Sequence, residues 1–177
     1  MKTFHLANVL LITASPALAQ NGEPLTGKLK VKAKPGTAGV FIDGKYVGPA
    51  SNHKSVRTYS VTVGDHEVTL VDPRYEEMKS KITIHAGETL SLSQKLKELP
   101  TPVGPFGKLK IVGFDKYAAV FLNGHFYAHA DELSNMVQGL LIKPGEYAVR
   151  VEPQNGDAPH EEKVKVEEGK TVTVKGK

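Results

Sequence analysis

Beyond residue 19 the residue types able to do chemistry are six histidines, three adjacent glutamate pairs, a lysine row and a recurring pair of aromatics. His125 and His129 are four apart, the spacing that sets two imidazoles on one helix face for zinc. Here they follow an Asn-Gly turn rather than a helix start, and no H-E-x-x-H accompanies them. Sharing a metal with Asp131 or Glu132 is the arrangement that remains, and no metal is expected. The pairs Glu76–Glu77, Glu161–Glu162 and Glu167–Glu168 do not converge as acid and base, because neighbours on a strand point to opposite faces. There is no cysteine, no G-x-S-x-G elbow and no Walker loop. The expectation is a non-enzyme without a cofactor.

In "GKLKVKAK", residues 27–34, lysines alternate along one strand face and could meet phosphate. No interleaved aromatics accompany them as in RNA-binding sheets, so a solvated face and no nucleic-acid partner are expected. The aromatics Phe41 and Tyr46 recur as Phe121 and Phe126. With a two-residue loop at Asp43-Gly44, Phe41 opposes Tyr46 on the face away from Val40 and Ile42. A three-residue loop with a bulge would change that register. If exposed, these rings could stack on sugars, with Lys45 and His125 adding polar contacts beside the turn. If buried, they complete a core or join two domains.

The elements that position these residues are written twice. "VFIDGKYVG" (40–48) and "VFLNGHFYA" (120–128) each flank an Asx-Gly pair with β-formers. Asp43-Gly44 and Asn123-Gly124 accept the positive φ of tight hairpin turns. "GKLKV" (27–31) matches "GKLKI" (107–111), "VDP" (71–73) matches "VEP" (151–153), and "ITIHAGETLSL" (82–92) matches "VKVEEGKTVTV" (164–174). Leu29, Val31 and Ala33 alternate with Lys28, Lys30 and Lys32, a strand with one apolar face. Gly64, Gly87, Gly145 and Gly169 punctuate similar runs. The pattern predicts an all-β chain of two tandem small antiparallel β-sandwiches, residues 27–97 and 107–177. "ADELSN" (130–135) is the one helical turn expected. A proline-rich linker, 98–106, joins the units, and 20–26 form a lead-in.

Residues 1–19 read as a secretory leader. One lysine precedes the apolar "LANVLLITA", and Ala17 and Ala19 stand at −3 and −1 of a cleavage site before Gln20. No run elsewhere reaches the length of a membrane span. Removing the leader with Lys2 lowers the formal charge from +4 to +3. That excess is an ordinary solubility charge that slightly favours anionic envelope polymers.

"PGTAGVFIDGKYVG" (35–48) resembles the signature of the PEGA domain, a small β-sandwich repeat. Pro35, Ala38, Val40, Ile42, Asp43, Gly44 and Gly48 fall on its pattern, as do Gly64 and Tyr75 downstream, with Arg74 where the family often has glycine. In the second copy Asp115 replaces the proline, Ala118 keeps the alanine, Asn123-Gly124 replaces Asp-Gly, and "KPGEY" (143–147) matches the later strand start. The resemblance implies fold positions and an interaction module rather than a common ligand. The expected protein is therefore periplasmic or secreted, a non-catalytic scaffold whose partner is an envelope protein or cell-wall polymer. The alternative is a carbohydrate or peptidoglycan binder using the hairpin aromatics.

Overall fold

The computed structural model describes residues 22–52, 55–134 and 140–176. Residues 1–19, read above as a leader, and His53 lie outside them. The first half contains β1 (Thr26–Lys34), β2 (Gly39–Ile42), β3 (Lys45–Pro49), β4 (Ser51–Asn52), β5 (Ser55–Thr62), β6 (Gly64–Val71), β7 (Met78–Ile84) and β8 (Thr89–Lys95). The second contains β9 (Gly107–Val112), β10 (Ala119–Leu122), β11 (His125–His129), α1 (Ala130–Ser134), β12 (Leu140–Ile142), β13 (Gly145–Glu152), β14 (His160–Val166) and β15 (Thr171–Lys175).

Each half is two sheets. The first pairs β3-β2-β6-β7 with β4-β5-β1-β8; the second pairs β11-β10-β13-β14 with β12-β9-β15. Alternation places the cores. Gly27, Leu29, Val31 and Ala33 of β1 are buried, and the residues between them are exposed. Leu29 and Val31 meet Val40, Ile42, Val68, Leu70 and Ile84 of the facing sheet in one cluster. Leu109 and Ile111 meet Val120, Leu122, Val149, Val151 and Val166 in its counterpart. At roughly 25 cal/mol per Å² of apolar surface removed from water, these layers are the main force holding each half together.

The antiparallel expectation needs one correction. β1 pairs parallel with β8, and β9 pairs parallel with β15. The chain leaves β7 through a turn with Gly87 at φ 72°. It crosses to the other sheet instead of folding back as a hairpin, so β8 arrives running alongside β1. The close approach at that crossing explains the repeated glycine of "GKLK". A Cβ on Gly27 would lie 2.4 Å from the His85 carbonyl oxygen, and one on Gly107 2.4 Å from that of Glu167.

The linker is not wholly free of the first half. Tyr75 forms a bridge with Glu98, and the Leu99 amide donates to the Arg74 carbonyl. Val103, further along, is 84% exposed. No helix among the described residues is long and apolar enough to cross a membrane.

Candidate functional site

The two duplicated hairpins turn tightly and then bulge. Asp43 and Gly44 have φ of 51° and 78°, Asn123 and Gly124 50° and 81°, the two positive values of a type I′ turn. Phe41 opposes Tyr46 and Phe121 opposes Phe126, as a two-residue loop requires. The next pairs are Val40 with Gly48 and Val120 with Ala128, so Val47 and Tyr127 are the extra residues of matching bulges.

The outward rings of the two hairpins face each other. Tyr46, Ala119, Phe121 and Phe126 form a third buried cluster with Phe41 and Val71 packed against it. Tyr46 stacks on Phe126 with centroids 5.7 Å apart, and Phe41 meets Phe121 edge-on at 6.4 Å. Equivalent positions thus touch one another, as in a self-complementary two-fold contact. The exposed aromatic platform expected as one outcome is not formed: Tyr46, Phe121 and Phe126 are buried and Phe41 is half-buried. Each ring lies opposite its own copy, and that covering removes it from solvent. Lys45 and His125 alone of the proposed contact residues stay exposed, at the starts of β3 and β11 just after the turns.

Polar contacts seal the junction. Tyr46 Oη donates to the Tyr117 carbonyl at 2.9 Å, and Gln154 Nε2 donates to the Val47 carbonyl at 2.9 Å. Burial holds the Tyr46 phenol far above its usual pKa, so it remains a neutral donor. Arg57 lies over the Tyr117 ring at 4.7 Å. Beside these contacts a cleft of about 500 Å³ opens between the halves, lined by Pro35, Gly36, Thr37 and Ser51 on one side and Tyr117, His129, Asp131 and Glu132 on the other.

His129 is 2% exposed and ends β11. Glu132 Oε1 accepts from the His129 amide at 3.1 Å and lies 2.9 Å from His129 Nδ1. This is the backward reach of a capping box at the start of α1. His125 is exposed at the other end of β11, so the pair does not converge, and no metal-holding cluster occurs among the described residues.

Across the cleft Asp72, 3% exposed, accepts from Thr37 Oγ1 at 3.0 Å and from Arg74 Nε and Nη2 at 2.9 and 2.7 Å. Burial opposes its charge, but these donors outweigh it and hold the carboxyl below its usual range. Arg74 Nη2 also reaches to 4.0 Å from Glu132 Oε2 in the other half.

The glutamate pairs point to separate partners. Glu76 pairs with Lys97 and Glu77 with Lys79, Glu161 faces Arg150, and Glu162 faces His160. Sequence reasoning missed the best-formed histidine contact, His66 with Asp43. His66 Nδ1 is 2.7 Å from Asp43 Oδ2, and Nε2 is 2.8 Å from the Thr62 carbonyl oxygen. Asp43 Oδ1 accepts the Glu67 amide. The signal was the pairing of the turn with the strand that begins at Gly64, visible only once the register is known.

A duplicated β-sandwich built on an Asx-Gly hairpin is the class these features define. Residues 26–100, the first half of the chain, match the family described as PEGA domain. The family match does not detect a second copy, although residues 107–175 form a similar half. No curated protein matches the chain. Among solved structures it is similar to the Bacillus anthracis TIE protein, at 16% identity and a TM-score of 0.32, covering 87% of this chain and 34% of that one. It is also similar to the Bacteroides ovatus mixed-linkage glucan utilization locus SGBP-B in complex with mixed-linkage heptasaccharide. That match has 13% identity and a TM-score of 0.21, covering 88% of this chain and 46% of the other. The chain therefore spans less than half the length of either.

Proposed function

We propose that this protein is an exported, non-catalytic binding module of the cell envelope, a rigid pair of sandwiches that holds an envelope protein or cell-wall polymer. The observation that carries the reading is the aromatic junction. Tyr46, Phe121 and Phe126 are committed to joining the halves, which leaves the outer sheets as the surfaces on offer. The leader of residues 1–19 supports the envelope location. The alternative, sugar stacking on the hairpin aromatics, loses its platform, since those rings are covered.

Cell fractionation with N-terminal sequencing tests export: the expected product begins at Gln20 in an envelope or secreted fraction. Met1 retained on cytosolic protein overturns the location. Saturable co-sedimentation of residues 20–177 with isolated envelopes is expected, and its absence counts against the binding role.

A further inference from the structure

The outer sheet of the first half carries a charge pattern that the packing does not use. Lys28, Lys30, Lys32 and Lys34 stand in one exposed row on β1. Ser60 and Thr58 on β5 lie beside Lys28 and Lys30. On the other flank Thr89, Ser91 and Ser93 of β8 lie beside Lys28, Lys30 and Lys32, and Lys95 lies beside Lys34. These neighbours are exposed too. No carboxylate occupies a paired position on this face. Other lysines of the chain do find acids, such as Lys79 with Glu77 and Lys97 with Glu76. The row is not edge protection against strand pairing, the usual role of lysine on a sheet, because β1 lies between β5 and β8.

We propose that this face binds a linear, hydroxyl-bearing phosphodiester polymer laid along β1. Side chains two residues apart on a strand recur about every 6.7 Å, so the ammonium groups form a regular line of positive charge. A row of like charges with no internal counter-ion favours a polyanion that releases its own counter-ions on docking. Lysine suits phosphate as a point charge, and the flanking serine and threonine hydroxyls can donate to or accept from the polymer's hydroxyl and phosphate oxygens. The row and its named flanks contain no aromatic ring, so there is no stacking platform for bases and a single-stranded nucleic acid is the poorer occupant.

The second half repeats the beginning of the pattern, with Lys108 and Lys110 beside Thr171 and Thr173. Exposed Leu141 lies beside Lys108 where Ser60 lies beside Lys28, so the full surface belongs to the first half. The inference rests on the envelope reading for where the polymer is met, while binding itself is testable without it.

The test is fluorescence anisotropy of labelled poly(glycerol phosphate) with residues 20–177 over a salt series. Saturable binding that weakens steeply with salt is expected. Replacing Lys28, Lys30, Lys32 and Lys34 together by glutamine is expected to lower affinity by at least ~10-fold at low salt and to flatten the salt dependence. The thermal midpoint should hold, because these side chains are solvated, and the matching arginine variant should bind. Lys79→Gln with Lys81→Gln, charge removed from another sheet, should bind as the parent does. The proposal is overturned if the parent does not bind, or if the Lys79/Lys81 variant loses as much as the four-lysine variant. Tighter binding of oligo(dT) assigns the face to nucleic acid, and equal or tighter binding of polygalacturonate removes the phosphate assignment; either overturns it. Loss of the Gln20 start with binding intact would sink the envelope reading alone.

Discussion

His66 satisfies both ring contacts by donation only when it is protonated, because a carboxylate faces one nitrogen and a carbonyl oxygen the other. Burial disfavours that charge, but the Asp43 and Thr62 acceptors and the Asp43 charge outweigh it and raise the His66 pKa. Burial likewise opposes the Asp43 charge, and His66 with the Glu67 amide outweighs it, lowering the carboxyl. The histidine's contribution is therefore full below its unfolded pKa and fades as pH rises through the folded value. The aspartate's is present above its unfolded pKa and is lost as pH falls through its lowered one. The first hairpin should be firmest in the mildly acidic window between the two ordinary values. Because Asp43 is half exposed, about 0.5 kcal/mol is a fair scale. Denaturant midpoints should fall from mildly acidic to alkaline pH, and His66→Gln should remove most of that slope; an identical slope in the variant would rule out the pair. Asn123 in the second turn accepts the Ala148 amide without a histidine. Gly44 tests the same turn by shape. Nothing lies within 4 Å of a Cβ there, so Gly44→Val should cost about 1–3 kcal/mol through positive φ alone. An unchanged unfolding midpoint would contradict the turn.

At the scale of elements, the paired hairpins are structural before they are anything else. Phe126 is 6% exposed and contacts Phe41, Tyr46 and Phe121. Phe126→Ala should therefore cost about 3–5 kcal/mol, as for a buried aromatic left as a cavity. The loss should fall on the coupling between halves: calorimetry should resolve two transitions where the parent has one. Phe41→Ala with Phe121→Ala should destabilise in the same way, and a variant that melts like the parent would show that the rings are not the junction. Asp72 anchors a second contact to this region. Removing its carboxylate strands Arg74 and Thr37, so Asp72→Ala should cost about 1–3 kcal/mol in chemical denaturation.

For the whole molecule, the three apolar clusters stack in sequence from one outer sheet to the other. A junction of buried rings is little affected by ionic strength, unlike one of exposed ion pairs. Small-angle scattering of residues 20–177 should show one compact particle at low and at high salt. Phe126→Asp should extend it, since a carboxylate cannot stay among those rings without a partner. Extension of the parent by salt would show that the charged contacts, such as Arg74 with Glu132, carry the association.

Strand positions, turn residues and the duplication were legible in the chain because they are local. A period of two in β1, an Asx-Gly pair between β-formers and a matched spacing each act within a few residues. The sequence by itself determined the two halves and the inner faces of their strands. It left open whether Phe41 and Tyr46 meet solvent or a partner, since that depends on a surface 80 residues away. Only the tertiary structure decided that the copies cover each other's aromatics, that β8 runs parallel to β1, and that His66 closes on Asp43. Those are contacts between segments distant in the chain, and their energy comes from burial and charge pairing that exist only once the segments are brought together.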